Sequence, residues 1–124
     1  MAANVPKKVL VVDDDTAVTT LLSGLLTNRG FQVFVANDGL DCMVQVKKNM
    51  PDLIVLDIMM PEINGYDVCR DLKFDPKYKN IPIIVFTSRD QELDPRIGQL
   101  MNIDYIQKPL QTKLLLEKIE KILK

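Results

Sequence analysis

The chain has no histidine, and only two cysteines, Cys42 and Cys69, among its 124 residues. Without histidine, Ser–His–Asp and Cys–His schemes and most general-base schemes fall away. Two distant cysteines without histidine cannot supply the usual four-ligand zinc set. The N-terminus carries no secretory signal, so two thiols packed as small hydrophobes are favoured over a disulfide. An excess of positive charge is also lacking: 16 basic residues stand against 17 acidic ones, for a net charge of −1. Nothing in that balance would hold nucleic acid or an anionic membrane. The lysines at 113, 118, 121 and 124 interleave with Glu117 and Glu120, as on a solvated helix face. No apolar run approaches the length of a bilayer span. Repeats, low-complexity stretches and linkers are absent too. The length fits one domain able to bury its own core. The expectation is a cytoplasmic protein, with residues 1–7 a flexible tail and residues 8–124 a single domain.

What is present is alternation. Five short runs, Val9–Val12, Gln32–Ala36, Leu53–Leu56, Ile83–Phe86 and Ile103–Gln107, are separated by helix-period segments. The first, third and fourth are continuously apolar and rich in Val and Ile, as strands covered on both faces are. The second and fifth are mixed, as edge strands would be. Val18, Leu21, Leu22, Leu25 and Leu26 follow the spacing of one buried helix face, and Gly30 stands where a left-handed C-terminal residue is expected. Leu40, Met43 and Val44 begin a second helix, and Tyr66 to about Phe74 forms a third. A weaker fourth lies within Asp90–Met101, with Asp94-Pro95 as either its start or an early interruption. Leu115, Ile119, Ile122 and Leu123 face inward on the last, which runs to the chain end. Strands joined by helices must be parallel, with right-handed crossovers. The pattern predicts an α/β fold: a five-stranded, doubly wound, flavodoxin-like sheet of order 2-1-3-4-5, flanked by five helices.

In such sheets ligands bind beyond the carboxyl ends of the strands. Asp13, Asp14 and Asp15 follow the first strand, and Asp57 ends the third. Thr87 and Ser88 follow the fourth, and Lys108-Pro109 the fifth. Asp15 reads as a helix N-cap. Capping does not account for Asp13, Asp14 or Asp57. Converging carboxylates repel, and a hard divalent cation such as Mg²⁺ relieves that repulsion. Asp57, isolated at the tip of the middle strand, is then the natural nucleophile toward phosphorus. Lys108 supplies fixed positive charge, and Thr87 a hydrogen bond to a phosphoryl oxygen.

Four segments, Val9–Asp15 (VLVVDDD), Leu53–Gly65 (LIVLDIMMPEING), Ile83–Ser88 (IIVFTS) and Tyr105–Pro109 (YIQKP), resemble the receiver domains of bacterial two-component systems, the CheY-like family. The resemblance implies that Asp57 is the phosphoacceptor. It implies that Asp13 and Asp14, one largely through water, hold Mg²⁺ (or Mn²⁺ as a substitute) together with Asp57 and the Met59 backbone carbonyl. It implies that Lys108 contacts the phosphoryl group across a cis bond to Pro109, and that Thr87 and Tyr105 form a switch pair. Met60 reads as packing, and Asn64-Gly65 as a tight turn. The chain departs from the family at Met101 and Asn102, where a Gly-Ala pair is common, which bears on the output face.

The implied partners are a histidine kinase or phosphotransfer protein and a downstream protein on the face of the fourth helix, fifth strand and fifth helix. Neither nucleic acid nor membrane is expected as a direct partner. The state is a monomer or a phosphorylation-dependent dimer, stand-alone or part of a longer regulator. No separate substrate is turned over. The competing readings are a pseudo-receiver that binds metal or partners without phosphotransfer, a haloacid-dehalogenase phosphatase and a flavodoxin. The phosphatase needs a second acid where Met59 stands. The flavodoxin needs a phosphate loop where the three aspartates stand.

Overall fold

The computed structural model describes residues 6–57, 65–87, 103–107 and 112–123. Its strands are β1 (Lys8–Val12), β2 (Gln32–Ala36), β3 (Leu53–Asp57), β4 (Ile83–Thr87) and β5 (Ile103–Gln107). They form one parallel sheet of order β2-β1-β3-β4-β5, as the hydrophobic pattern predicts. The described helices are α1 (Thr16–Asn28), α2 (Gly39–Asn49), α3 (Gly65–Phe74) and α4 (Thr112–Leu123). The helix expected within Asp90–Met101 and the turn at Asn64 lie outside the described residues, as do Met60 and Pro109.

Period-two alternation divides the core between the two faces of the sheet. Leu10, Val12, Ile54, Leu56, Ile83 and Val85 point to one side, where Cys42 and Val46 of α2 and Val68, Cys69 and Leu72 of α3 cover them. Val9, Val11, Leu53, Val55 and Ile84 point to the other, against Leu22 and Leu26 of α1 and Leu115, Leu116 and Ile119 of α4. Every residue of β3 is buried, whereas β2 at the edge buries only Ala36 fully. Each fully buried Leu or Ile contributes about 1.5–3 kcal/mol relative to exposure.

Two inward assignments of the sequence reading differ in the structure, Leu21 on α1 and Ile122 on α4. Leu21 is 50% exposed, and the buried stripe of α1 runs through Thr19, Leu22 and Leu26 instead. Thr19 tolerates burial because its hydroxyl donates to the Thr16 carbonyl at 3.2 Å. On α2, Leu40 and Val44 face solvent, while Gly39, Cys42 and Val46 face the sheet. Ile122 of α4 is likewise 40% exposed, its inward place being taken by Leu116.

Local chemistry sets the helix ends. Asp15 caps α1 by accepting from the Ala17 amide at 2.9 Å, and Asp38 caps α2 by accepting from the Asp41 amide at 2.7 Å. Past α1, Gly30 adopts φ +89°, and the Phe31 amide returns to the Leu26 carbonyl at 3.1 Å, the bond of a Schellman motif. Past α2 the left-handed position is held by Met50, at φ 46°.

Between α3 and β4 the buried Lys73 ammonium donates to the Lys79 carbonyl at 3.0 Å and the Ile81 carbonyl at 2.6 Å. Burial pushes its pKa down, opposed by the neighbouring Cys69. Tyr78 from this connection plugs the core below α3.

Candidate functional site

The sheet brings three acids to one rim. Chain order reverses between β1 and β3, so a crevice opens there at the carboxyl ends of the strands. Asp13 follows β1 directly. Its amide donates to the Ala36 carbonyl at 3.1 Å, which extends the β1–β2 ladder by one residue and fixes where the carboxylate begins. One of its carboxylate oxygens, Oδ1, accepts from the Asp15 amide at 2.9 Å. Asp13 is thereby buried to 2% exposure, with its side chain oriented by the turn that starts α1. Asp57 is the last residue of β3, also 2% exposed, and lies opposite Phe86 in register. Asp14, between Asp13 and the cap, is exposed.

One carboxylate oxygen from each of Asp13, Asp14 and Asp57 lies within 4.8 Å of the other two. Oxygens bound directly to one magnesium ion at about 2.1 Å lie roughly 3–4 Å apart, so this spread suits a cation held by a mixture of carboxylates and water. The donors are all hard oxygens, two from rigid, buried backbone positions and one from the solvent side. That set fits Mg²⁺ or Mn²⁺ and offers no soft ligand for zinc or copper.

Of the remaining expected residues, Thr87 ends β4 one position beyond the partner of Asp57, with its backbone paired to Gln107 on β5. Tyr105 lies on β5 opposite Val85. Both backbones therefore run toward the same rim; their side chains, and the whole of Met59 and Lys108, lie outside the described residues.

The two cysteines are free and buried, as packing residues would be. Burial pushes each thiol up to about 12, with Cys69 and then Asp41 and Asp38 adding to the effect at Cys42. A thiol so disfavoured as thiolate is a poor nucleophile and a poor metal ligand. Sequence reasoning missed Lys73. An isolated lysine near a helix end gives no signal of burial, and only the turn that follows α3 supplies the carbonyls that receive it.

A sequence model described as response regulator receiver domain matches residues 9–120. The chain is 36% identical over 119 residues to the alkaline phosphatase synthesis transcriptional regulatory protein PhoP of Bacillus subtilis, covering 95% of this chain and 49% of that protein. It thus spans about half the length of the curated relatives it matches. Among solved structures it resembles the chemotaxis response regulator CheY4 of Vibrio cholerae, with a TM-score of 0.82, 27% identity, and coverage of 96% of this chain and 100% of that one. A putative response regulator from Chloroflexus aurantiacus gives a TM-score of 0.83 at 31% identity, covering 96% and 98%.

Proposed function

The chain belongs to the response regulator receiver family, and from that premise we propose that it is a phosphorylation switch in which Asp57 accepts a phosphoryl group from a phosphohistidine donor. The observation that carries this reading is the placement of buried Asp57 within 4.8 Å of oxygens from Asp13 and Asp14. A histidine kinase, or a phosphotransfer protein charged by one, is the donor. A carboxylate oxygen of Asp57 forms the new bond to phosphorus. The bond from phosphorus to the donor nitrogen breaks, and its electron pair leaves with the imidazole.

Asp13, Asp14, Asp57 and the Met59 carbonyl would hold Mg²⁺, or Mn²⁺ in its place. The ion supplies charge neutralisation at the phosphoryl oxygens. Asp13 contributes a carboxylate already fixed by the Asp15 amide, so little reorganisation is needed when a phosphoryl group arrives. Lys108 adds a second positive charge to the phosphoryl oxygens, and the Thr87 hydroxyl donates to one of them. Tyr105 moves inward as Thr87 is drawn toward the site, which converts a local charge event into a change of surface. Water later hydrolyses the acyl phosphate at the same site, so the chain turns over no separate substrate.

The receiver spans residues 8–124 behind a tail of residues 1–7, and it works in the cytoplasm. Output is a protein contact on the face that includes β5 and α4. A groove of about 460 Å³ lies there, lined by Asp104, Leu114, Glu117, Lys118, Lys121 and Ile122. Lys118 and Asp104 join across it at 2.8 Å. No described helix is long and apolar enough to cross a membrane.

The test is intact mass after incubation with acetyl phosphate, with and without Mg²⁺, on wild type and Asp57→Asn. One added phosphoryl group requiring both Mg²⁺ and Asp57 is expected. An adduct that persists in Asp57→Asn, or none on wild type, overturns the assignment.

A further inference from the structure

α2 presents its most apolar outward positions to solvent. Leu40 is 67% exposed and Val44 58%, one turn apart. One turn further along, Lys47 and Lys48 are exposed, while Asp41 in the first turn is half-buried. Among the described residues none of Asp41, Lys47 and Lys48 has an ion-pair partner. At 100° per residue the five side chains occupy about 120° of arc centred on Val44. Asp41 and Lys48 lie along one side of Val44, seven residues apart. Leu40 and Lys47 lie along the other, with the same spacing.

This pattern is complementary to itself when reversed. We propose that α2 is a homotypic docking surface, on which a second copy of the chain packs its own α2 antiparallel about a two-fold axis through Val44. A two-fold contact uses the same patch on both subunits. Reversal about Val44 preserves the side of the stripe and inverts the position along it. Asp41 therefore meets Lys48 of the second copy, and does so twice by symmetry. Leu40 comes to lie beneath the aliphatic stem of Lys47 from the second copy, which covers an apolar side chain while its ammonium stays in water. The two Val44 side chains meet at the axis. A parallel two-fold arrangement would instead set Asp41 against Leu40 and Lys48 against Lys47 of the second copy, which leaves the acid without a base and brings like charges together. Charge complementarity thus selects both the occupant and its direction.

The helix is short, only 11 residues. The contact therefore falls in the weak, transient class of interface and forms at high local concentration. It lies on a different element from the β5–α4 output groove and does not depend on the phosphoryl chemistry.

The experiment uses the whole chain. Sedimentation velocity at concentrations up to about 1 mM is expected to show a concentration-dependent dimer, and to show it equally in Asp57→Asn. Val44→Asp and Asp41→Lys should each weaken it by about tenfold or more, and Asp41→Lys combined with Lys48→Asp should restore it. Under mild oxidation Val44→Cys should form a covalent dimer far faster than Thr20→Cys, an exposed site on α1. The native cysteines are buried and stay silent. Leu40→Cys should not link to itself. A chain that remains monomeric across that range overturns the proposal. So does equal cross-linking at positions 20 and 44, or self-linking of Leu40→Cys.

Discussion

Raising the pH should destabilise the fold through its two buried thiols, and by an amount that can be worked out. Cys42 and Cys69 have an ordinary pKa of 9.0 when unfolded and one pushed up to about 12 in the fold, first by burial. Between those values the unfolded chain is ionised and the folded chain is not. Unfolding then releases protons, so stability is unaffected below about pH 9 and falls above it. At about pH 10 each thiol favours the unfolded state by roughly 1.4 kcal/mol, one pKa unit's worth, and the two together by nearly 3 kcal/mol. Lys73 acts with the opposite sign. Its pKa is lowered in the fold, so its contribution improves as pH rises through the window ending at its ordinary 10.5. The thiol effect is therefore read as a difference between proteins rather than from wild type alone. Urea unfolding of wild type and of Cys42→Ala/Cys69→Ala, under reducing conditions at about pH 7.5 and 10, makes the comparison. The cavity cost of the double variant is the same at both pH values and cancels. Wild type should lose about 2–3 kcal/mol more than the variant between the two conditions. Equal losses would refute the burial argument and leave the thiols open to ionisation.

Gly24 lies exposed in the interior of α1 with nothing within 4 Å of an added Cβ, so Gly24→Ala should stabilise by about 0.5–1 kcal/mol and raise Tm by roughly 2–5 °C in a thermal scan. A lower Tm would mean that α1 is not helical there. Asp15→Ala removes the acceptor for the Ala17 amide and should cost about 1 kcal/mol while leaving acetyl phosphate labelling intact; loss of labelling at full stability would move Asp15 from the cap to the site. Lys108→Arg should retain Mg²⁺ binding, read by titration, but weaken the conformational response to phosphorylation, because a planar fork replaces a compact ammonium. Unchanged phosphorylation kinetics and output binding would remove the role given to Lys108.

Strands and site were legible in the sequence for one shared reason. A strand covered on both faces must be apolar at every position, so VLVV, LIVL and IIVF stand out from any helix pattern. Whatever polar residue ends such a strand is carried to the sheet rim without further instruction. Asp13 and Asp57 were found in that way; strand order makes β1 and β3 neighbours, and the register that pairs Val12 with Leu56 sets the two acids side by side. Helix faces were harder to read because leucine recurs on both sides of α1. Spacing admitted Leu21 to the buried face, whereas the packed helix buries Thr19, whose hydroxyl is satisfied within the helix. On α2 the spacing of Leu40, Met43 and Val44 marks a helix without saying which of them is covered, and the structure leaves Leu40 and Val44 in solvent. In α1 the leucine left outside is an isolated side chain, which an ordinary protein surface tolerates. In α2 two apolar side chains stand one turn apart between an acid in the first turn and two bases in the last, a pattern that a reversed copy of itself would complement.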